Sequence, residues 1–279
     1  MFKKILAMAM ALTMCFSLAA CGSEKVGVAE PDKASSSEEG LTSDASDLKA
    51  IQDKGVIVVG ITDFEPMDYK DENGEWIGFD ADMAKEFAKS LGVDVQFVEI
   101  DWDNKALELE SGSIDCVWNG MTLTDEVLNA MDCSKPYCNN AQVVIVPADK
   151  AADCNTVDAV KDLNFAVEVG SAGEAEAEAN GFNYTSVSNQ ANALMEVAAG
   201  TSDAAIIDSL MAAAMVGEGT SYADLTYTVG LNSEEYGVGF RKGSDLVAKL
   251  NEFFKTSYDD GSMQKTAETY GVQAALIAQ

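Results

Sequence analysis

Residues 113–137 read SIDCVWNGMTLTDEVLNAMDCSKPY, a short apolar segment followed by a glycine and then by a helix start. A buried strand is indicated by the apolar residues Ile114, Cys116, Val117 and Trp118. Gly120 has no Cβ and so allows another group to approach the backbone closely. Thr122 and Thr124 offer hydroxyls beside the amides that begin the helix, where anions are favoured. The stretch predicts a site for a small anionic group, yet the position where a cation would complete it holds Val127.

The first residues, MFKKILAMAMALTMCFSLAAC, contain two lysines followed by an apolar run from Ile5 to Ala20. A spanning helix needs about 20 apolar residues, and this run is shorter, so residues 1–20 are predicted to be a cleaved export signal. Cys21 directly follows the small residues of the cleavage site. This pattern predicts a lipoprotein in which Cys21 carries a diacylglyceryl anchor. An ordinary signal peptide cut after Ala20 is the alternative.

Residues 22–46, GSEKVGVAEPDKASSSEEGLTSDAS, contain hardly any apolar side chains and therefore cannot bury a core. Residues 21–46 are thus predicted to be the lipidated cysteine and a disordered tether. A flexible chain of this length spans roughly 25–30 Å, enough to hold a folded domain just outside a membrane.

The charge of the chain excludes several functions. The formal net charge is -29, and such an acidic protein is repelled by nucleic-acid phosphates and by anionic lipid surfaces. The sequence has no histidine, which excludes histidine-based catalytic triads and imidazole zinc sites. We therefore predict no nucleic-acid partner, no metal and no cofactor, and membrane attachment through the lipid alone.

Four cysteines remain in the folded part after Cys15 and Cys21 are set aside: Cys116, Cys133, Cys138 and Cys154. Their spacing contains no CxxC pair. A Cys133–Cys138 disulfide is one interpretation, and four small buried thiols is the one we favour.

From Leu48 onward, apolar segments with strand periodicity alternate with segments of helical periodicity, which predicts an α/β protein with mostly parallel sheets. The predicted strands of the first part are Val56–Ile61, Val93–Val98 and Ile114–Trp118. A helix capped by Asp80 and ended by Gly92, and another capped by Asp101 or Asp103 and ended by Gly112, connect them. A second set of strands follows at 142–146, 164–169, 204–207, 225–229 and 237–241, and the chain ends in helices at 245–260 and 262–270. About 230 residues is large for one core, so two lobes are expected.

Seven segments, taken in order and spacing, resemble the family 3 extracellular solute-binding proteins of amino-acid ABC importers: ITDFEPMDY, DENGEWIGFDADMAKEFAKSLGV, SGSIDCVWNGMTLT, SKPYCNNAQVVIV, VEVGSAGEA, SDAAIID and YGVGFRKGSD. The resemblance covers nearly everything after the tether. It implies a two-lobed, Venus-flytrap architecture with hinge strands near 142–146 and 237–241. Lobe 1 would comprise residues 47–143 plus 237–279, and lobe 2 residues 144–236.

The resemblance also implies which residues contact a zwitterionic ligand between the lobes. Asp208 would receive the ligand ammonium, with a helix N-cap as the alternative, and the two roles can coexist. Trp102 and Phe64 would place rings against the ligand, with a core role as the alternative for both, and Asp63 would reach the cleft. Contacts to the ligand backbone would come from Asn119, Gly120 and Thr122 in lobe 1 and from Ser171 and Gly173 in lobe 2.

Two positions depart from the family pattern. Val127 stands where an arginine clamps the ligand carboxylate, and Ala172 stands where a second hydroxyl residue is usual. Glu168 lies where relatives vary their specificity and would add negative charge, although it could be a strand-end acid facing solvent. Together with Asp208, Asp63 and the rings of Phe64, Trp102 and Trp118, Glu168 predicts a ligand with a positive or amide-bearing group, with a core role as the alternative for Trp118.

These features predict a monomeric, outward-facing, lipid-anchored binding protein of an ABC importer, extracellular in a Gram-positive organism and periplasmic otherwise. Its ligand would be a polar or cationic amino acid or a related solute, and no catalytic residue is assigned. An amine without a carboxylate is one alternative. An enzyme resembling cyclohexadienyl dehydratase, with Glu168 as acid or base, is another.

Overall fold

The computed structural model describes residues 46–279, in which strands and helices alternate. The predicted signal peptide, Cys21 and the tether up to residue 45 lie outside the described residues. The strands are β1 (Val56–Ile61), β2 (Tyr69–Lys70), β3 (Trp76–Ile77), β4 (Asp94–Glu99), β5 (Cys116–Thr122), β6 (Asp132–Cys133), β7 (Cys138–Asn140), β8 (Gln142–Pro147), β9 (Asn164–Glu168), β10 (Asn183–Val187), β11 (Ala204–Asp208), β12 (Leu225–Gly230) and β13 (Glu234–Phe240).

The α-helices are α1 (Asp47–Lys54), α2 (Phe79–Leu91), α3 (Lys105–Ser111), α4 (Asp125–Ala130), α5 (Val157–Val160), α6 (Ala172–Asn180), α7 (Gln190–Ala199), α8 (Ser209–Met215), α9 (Leu246–Asp259) and α10 (Ser262–Tyr270). Short 3-10 helices lie at Trp102–Asn104, Ala148–Asp153 and Gln273–Ala275. Over residues 46–279, no helix combines the length and the apolar character that crossing a bilayer requires.

Two large sheets organise these elements. The first has the order β4-β1-β5-β13-β6, with β7 also paired to β13, and the second has the order β10-β9-β11-β8-β12. Pairs among β4, β1 and β5, and among β10, β9 and β11, are parallel. All pairs made by β13 and β8 are antiparallel. The α/β class with two sheets is confirmed, and each sheet is mixed because β13 and β8 enter it from the opposite direction.

The chain crosses between the sheets twice, and the two crossings lie side by side. Ala141 separates β7 from β8, and residues 231–233 separate β12 from β13. The Gln142 amide donates to Asn232 Oδ1 at 2.7 Å, and the Leu231 amide donates to the Gln142 carbonyl at 2.9 Å. Gln142 and Val143 pair in the second sheet, and residues 234–236 pair in the first. Each crossing lies just before one of the two predicted hinge strands, 142–146 and 237–241. The exact bounds of the two lobes stay a prediction.

Apolar residues on both faces of each sheet form the core. One cluster joins residues of both sheets, including Ile57 of β1 and Ile145 of β8. A second cluster lies under α6, around Val146 and Phe165. The third contains Trp102, Leu109, Ile114, Val117, Met121, Val127 and Met131. This third cluster anchors the lobe 1 wall of the cleft described below.

Three local predictions were wrong. Neither Asp101 nor Asp103 caps α3, because a 3-10 turn at Trp102–Asn104 precedes this helix and places Asn104 at its N-cap. Asp80 does not cap α2, which begins after Gly78, because its carboxylate is buried and accepts hydrogen bonds from the Gly120 amide and the Tyr137 hydroxyl, both at 2.7 Å. Gly120 does not end the strand that was predicted to stop at Trp118. That strand continues to Thr122 because β13 pairs alongside it, with a register shift between Gly237 and Gly239.

Candidate functional site

A cleft between the two sheets contains a cavity of about 300 Å³. Its walls come from segments that follow β1, β9 and β11 or end β5, and the carboxyl ends of strands are where open α/β sheets bind ligands. The lining residues are Thr62, Asp63, Phe64, Trp102, Asp103, Lys105, Ala106, Asn119, Gly120, Met121, Thr122, Thr124, Asp125, Glu126, Val127, Ala130, Met131, Glu168, Gly170, Ser171, Ala172, Ala175, Gln190 and Asp208. A cavity of this size suits one small solute.

The structure brings nine of the ten predicted ligand-binding residues to this cleft: Asp63, Phe64, Trp102, Asn119, Gly120, Thr122, Glu168, Ser171 and Asp208. Gly173 is not among the lining residues. It is buried under the start of α6, where an added Cβ would lie 3.0 Å from the Ile206 carbonyl oxygen and 3.1 Å from Gln142 Oε1. Trp118 is core, 1% exposed, with its ring 6.1 Å from that of Phe87 and 5.6 Å from that of Phe254.

Hydrogen bonds within lobe 1 hold the Asn119–Gly120 segment in place. The Asn119 side chain donates to Asp68 Oδ2 at 2.8 Å and to the Thr62 carbonyl at 3.1 Å, and it accepts from the Thr62 hydroxyl at 2.7 Å. The Gly120 amide donates to Asp80. The N–H donors of the Asn119 side chain and of the Gly120 amide are therefore already bonded within the protein.

Gly120 lets a ring approach the backbone closely. Its φ is +53°, and an added Cβ would lie 2.4 Å from Phe64 Cε1 and 3.1 Å from Tyr236 Cε2. Phe64 is 3% exposed and makes an edge contact with Tyr236, with 6.3 Å between the ring centroids. Phe64 is therefore both a core residue and part of the cleft wall.

Beneath this segment lie two fully buried carboxyl groups, those of Asp68 and Asp80. The Oδ1 atom of each has no hydrogen-bond partner among the described residues. Burial raises the pKa of Asp80 to about 7, and burial together with Asp80 raises the pKa of Asp68 well above its usual value. Asp80 is therefore partly protonated at neutral pH.

Trp102 and Lys105 form one side of the cleft. Trp102 is 7% exposed and belongs to the third apolar cluster, so its core and cleft roles coexist. The Lys105 ammonium lies 4.8 Å from the centroid of the Trp102 ring. It donates to the carbonyls of Trp102 at 3.2 Å and of Gly170 at 2.9 Å, and the second bond links the two walls.

Val127 contributes an apolar wall. It is 6% exposed, and its amide donates to Thr124 Oγ1 at 3.2 Å, so Thr124 caps α4. On the opposite wall, Ser171 caps α6 through a 3.1 Å bond accepted from the Glu174 amide. Thr122 donates its hydroxyl to Glu234 Oε1 at 2.9 Å. These hydroxyls are committed to the protein, although each also lines the cleft.

Glu168 ends β9 and is 3% exposed, so the interpretation as a solvent-facing acid is wrong. Glu168 lines the cavity, and its buried Oε1 has no hydrogen-bond partner within the described residues. Burial, and then the nearby Asp208, raises the pKa of Glu168 to about 8, against the opposing effects of Lys105 and Gln190. A positively charged ligand group beside it would favour its ionised form.

Asp208 lies at the centre of a buried polar network. Its Oδ1 accepts from Gln142 Nε2 at 2.9 Å, from the Tyr236 hydroxyl at 2.8 Å and from Asn140, and its Oδ2 accepts from Gln190. Asp208 occupies the N-cap position of α8, but its side chain makes no capping hydrogen bond to that helix. Burial and then Glu234 raise the pKa of Asp208 to about 8. Since a carboxylate offers about four acceptor positions, Oδ2 retains room for one more donor.

The cleft carries a large excess of acidic side chains. Six acids line it: Asp63, Asp103, Asp125, Glu126, Glu168 and Asp208. Lys105 is the single lysine or arginine among the lining residues of the described part. Nowhere in residues 46–279 are three or more acidic or cysteine side chains grouped to hold a metal ion.

Sequence reasoning missed Lys105, Gln190 and the network around Asn140, Gln142 and Glu234. Lys105 follows Trp102 by three residues, the spacing that places side chains on one side of a helical turn, and this signal was available. The network had no local signal because Glu234 lies 94 positions from Asn140 and 92 positions from Gln142. The four cysteines of residues 46–279 are free thiols, as the favoured interpretation has it, and three are buried while Cys133 is half-buried.

Residues 56–273 match the model of the bacterial extracellular solute-binding proteins, family 3. The chain is 26% identical over 227 residues to the L-cystine-binding protein TcyJ of Escherichia coli (strain K12), covering 80% of this chain and 85% of that protein. It is 28% identical over 274 residues to the arginine-binding extracellular protein ArtP of Bacillus subtilis (strain 168), covering 94% of this chain and 96% of that protein.

Solved structures give the same architecture. An ancestral amino acid-binding protein, AncCDT-1, described as a precursor of cyclohexadienyl dehydratase, superposes with a TM-score of 0.75 at 33% identity, covering 81% of this chain and 99% of that one. An ABC uptake transporter substrate-binding protein from Streptococcus pneumoniae with bound histidine superposes with a TM-score of 0.74 at 30% sequence identity. The match covers 82% of this chain and 98% of that one. The two-lobed periplasmic-binding architecture is confirmed.

Proposed function

We propose that this chain, which belongs to the bacterial extracellular solute-binding proteins of family 3, captures a small cationic or polar solute and delivers it to an ABC permease. The solute class is an amino acid or a related amine. The observation that carries the proposal is the charge of the cleft, where six acids face one lysine. One relative is named for cystine and another for arginine, and the charge of this cleft favours a cationic ligand such as arginine over cystine.

The positions of two acids support a bound cation. Glu168 lines the cavity and has one carboxylate oxygen without a hydrogen-bond partner among the described residues, and Asp208 retains one acceptor position on Oδ2. The rings of Phe64 and Trp102 line the same space and add apolar and cation–π contact. An ammonium or guanidinium group would satisfy Glu168, whose burial is otherwise unfavourable to its charged form.

Capture requires the walls to separate and close again. We expect the rotation to occur at the paired crossings, Ala141 and residues 231–233, because they alone connect the two sheets within the described chain. A ligand that contacts both walls binds the closed arrangement better and therefore shifts the population toward it.

The proposed lipid anchor at Cys21 would hold the protein on the outer face of the cell membrane. The protein would act there as a monomer. A Cys21→Ser variant tests this, since without the lipid the acidic protein has no affinity for anionic membranes and should be released. Equal membrane retention of the variant and the wild type would contradict the lipid anchor.

Titration calorimetry of the purified protein tests the ligand class. Arginine, lysine, histidine, glutamine, cystine, glutamate and the corresponding amines form the panel. We expect the cationic members to bind and glutamate not to bind. Binding of glutamate alone would overturn the proposal.

One observation favours a second candidate, an enzyme resembling cyclohexadienyl dehydratase. With its pKa near 8, Glu168 holds a proton at neutral pH in a buried cleft, as a general acid requires. The remaining acids of the cleft, Asp63, Asp103, Asp125 and Glu126, would repel an anionic cyclohexadienyl substrate. Incubation with such a substrate, followed by ultraviolet absorption of an aromatic product, tests the alternative. Turnover that disappears in Glu168→Gln would favour the enzyme over the binding protein.

A further inference from the structure

We infer that Lys105 binds the carboxylate of the solute, so that the ligand class is an amino acid with both charges and not a simple amine. The inference rests on the proposed function and deepens it. It assigns to Lys105 the task that Val127 cannot perform, since Val127 presents only an apolar, 6% exposed side chain to the cleft.

The first support is that Lys105 has no anionic partner. Its ammonium donates only to two neutral carbonyls, those of Trp102 and Gly170, and within residues 46–279 it makes no ion pair within 4.0 Å. A lysine ammonium has three N–H donors, so one remains for another acceptor. An ammonium that is half-buried without a paired anion is unfavourable, and a ligand carboxylate would remove that cost.

The second support is the position of Lys105. It lines the same cavity as Glu168, Ser171 and Ala172. Glu168 is close enough to influence the pKa of Lys105, which burial lowers and Glu126, Glu168 and Asp103 raise. An α-amino acid carries its carboxylate and ammonium on one carbon, so neighbouring charges of opposite sign on the protein match it. A diamine or a guanidinium alone would leave Lys105 facing a like charge.

The third support comes from the wall opposite Lys105. Helix α6 is nine residues long, and its first turn at Ala172 faces the cleft, where the partial positive charge of a helix start favours an anion. The cavity therefore offers a carboxylate both a full positive charge and a favourable dipole. Both lie beside the buried Glu168 that would receive the cation.

A cycle of two proteins and two ligands tests the inference. Wild type and Lys105→Met are titrated with arginine and with agmatine, which is arginine without its carboxylate. Methionine keeps an unbranched side chain over the Trp102 ring. We expect wild type to bind arginine at least tenfold more tightly than agmatine, and Lys105→Met to lose that preference while its agmatine affinity is kept or improved.

Two further variants complete the test. Lys105→Arg should keep the preference for arginine, because it keeps a cation at this position. Lys249→Met, which removes an exposed lysine on α9 paired with Glu252, should change neither affinity.

The contrary outcomes are separable. An equal loss for arginine and agmatine in Lys105→Met would show that Lys105 only links the two walls through Gly170, and the inference would fall while the proposed function stands. Equal affinity of the wild type for arginine and agmatine would also overturn the inference and leave the proposed function standing. If wild type binds neither these ligands nor any other cationic amino acid or amine, the proposed function falls and the inference with it.

Discussion

At the scale of single residues, the environment of Glu168 predicts how the cleft selects its ligand. A Glu168→Gln variant should bind a cationic ligand roughly 10–100-fold more weakly, because a hydrogen bond to a charged group is worth about 1.5–3 kcal/mol. Calorimetry measures the change. Glu126→Gln is the matched control, since Glu126 lines the same cleft but is exposed, and its loss should cost less than about threefold. Equal losses would mean that only the general charge of the cleft matters.

The raised pKa of Glu168 also predicts the pH dependence of binding. A cation favours the ionised carboxylate, so below its pKa of about 8 the ligand must displace a proton. Affinity should therefore fall as pH is lowered from 8 to 6, by up to about tenfold per unit for one proton. Asp208, Lys105 and Gln190 face this group, and Asp208 titrates in the same range. Glu168→Gln should show a shallower dependence, and an unchanged slope would argue against this role.

At the scale of elements, the contact between β5 and the segment after β1 depends on Gly120. Gly120→Ala should destabilise the protein by about 2–4 kcal/mol, because alanine is strained at positive φ and its Cβ would displace the Phe64 ring. Urea unfolding measures the difference. Gly112→Ala is the control, as its φ of +78° is equally unfavourable but nothing lies within 4 Å of the added Cβ. Similar costs for the two variants would show that Phe64 contributes nothing.

The elements with local signals were predicted well from sequence. Helix α10 was predicted at its observed bounds, 262–270, because glycines stand at both ends. Strand β5 was predicted too short because its extension past Gly120 depends on β13, more than 100 residues away. The antiparallel half of each sheet was missed for the same reason. Strand direction follows from the paired crossings, which no local pattern reveals.

The site shows a similar division. Phe64, Trp102, Glu168 and Asp208 were predicted because a family pattern locates them, and all line the cleft. The pattern could not show that Asp208 is already surrounded by four uncharged donors. It also drew attention to the arginine absent at Val127 and not to Lys105, because a residue outside the pattern is found only when the chain is folded.

At the scale of the whole molecule, buried acids predict a stability that rises on acidification. Folding raises the pKa of Asp80 to about 7 and those of Glu168 and Asp208 to about 8, so the folded state binds more protons than the unfolded state between pH 4 and 8. Stability is then greatest at the acidic end of this range and is lost as pH rises through these values. Thermal unfolding should show a higher Tm at pH 5.5 than at pH 8. A Tm that is lower at pH 5.5 than at pH 8 would contradict the prediction that acidification stabilises the protein.

General charge repulsion has the same sign, since the net charge is -29. Two variants separate the effects. Asp80→Asn imitates the protonated acid and should flatten the dependence of Tm on pH, whereas Glu110→Gln makes the same charge change on the exposed face of α3 and should not. If both variants flatten the dependence equally, the effect belongs to net charge and not to burial.

The contact between Gly170 and Asp103 sets how quickly a solute can be captured. An added methyl group on Gly170 would lie 2.8 Å from Asp103 Cα, so the two walls touch at this point of the rim. A solute that enters there must arrive while the walls are apart. The association rate is then the diffusional encounter rate multiplied by the fraction of time spent open, and it falls below the usual range of about 10⁵–10⁷ M⁻¹s⁻¹ if opening is rare. Release of the solute requires the same opening of the walls, so the residence time reports lobe opening as much as affinity.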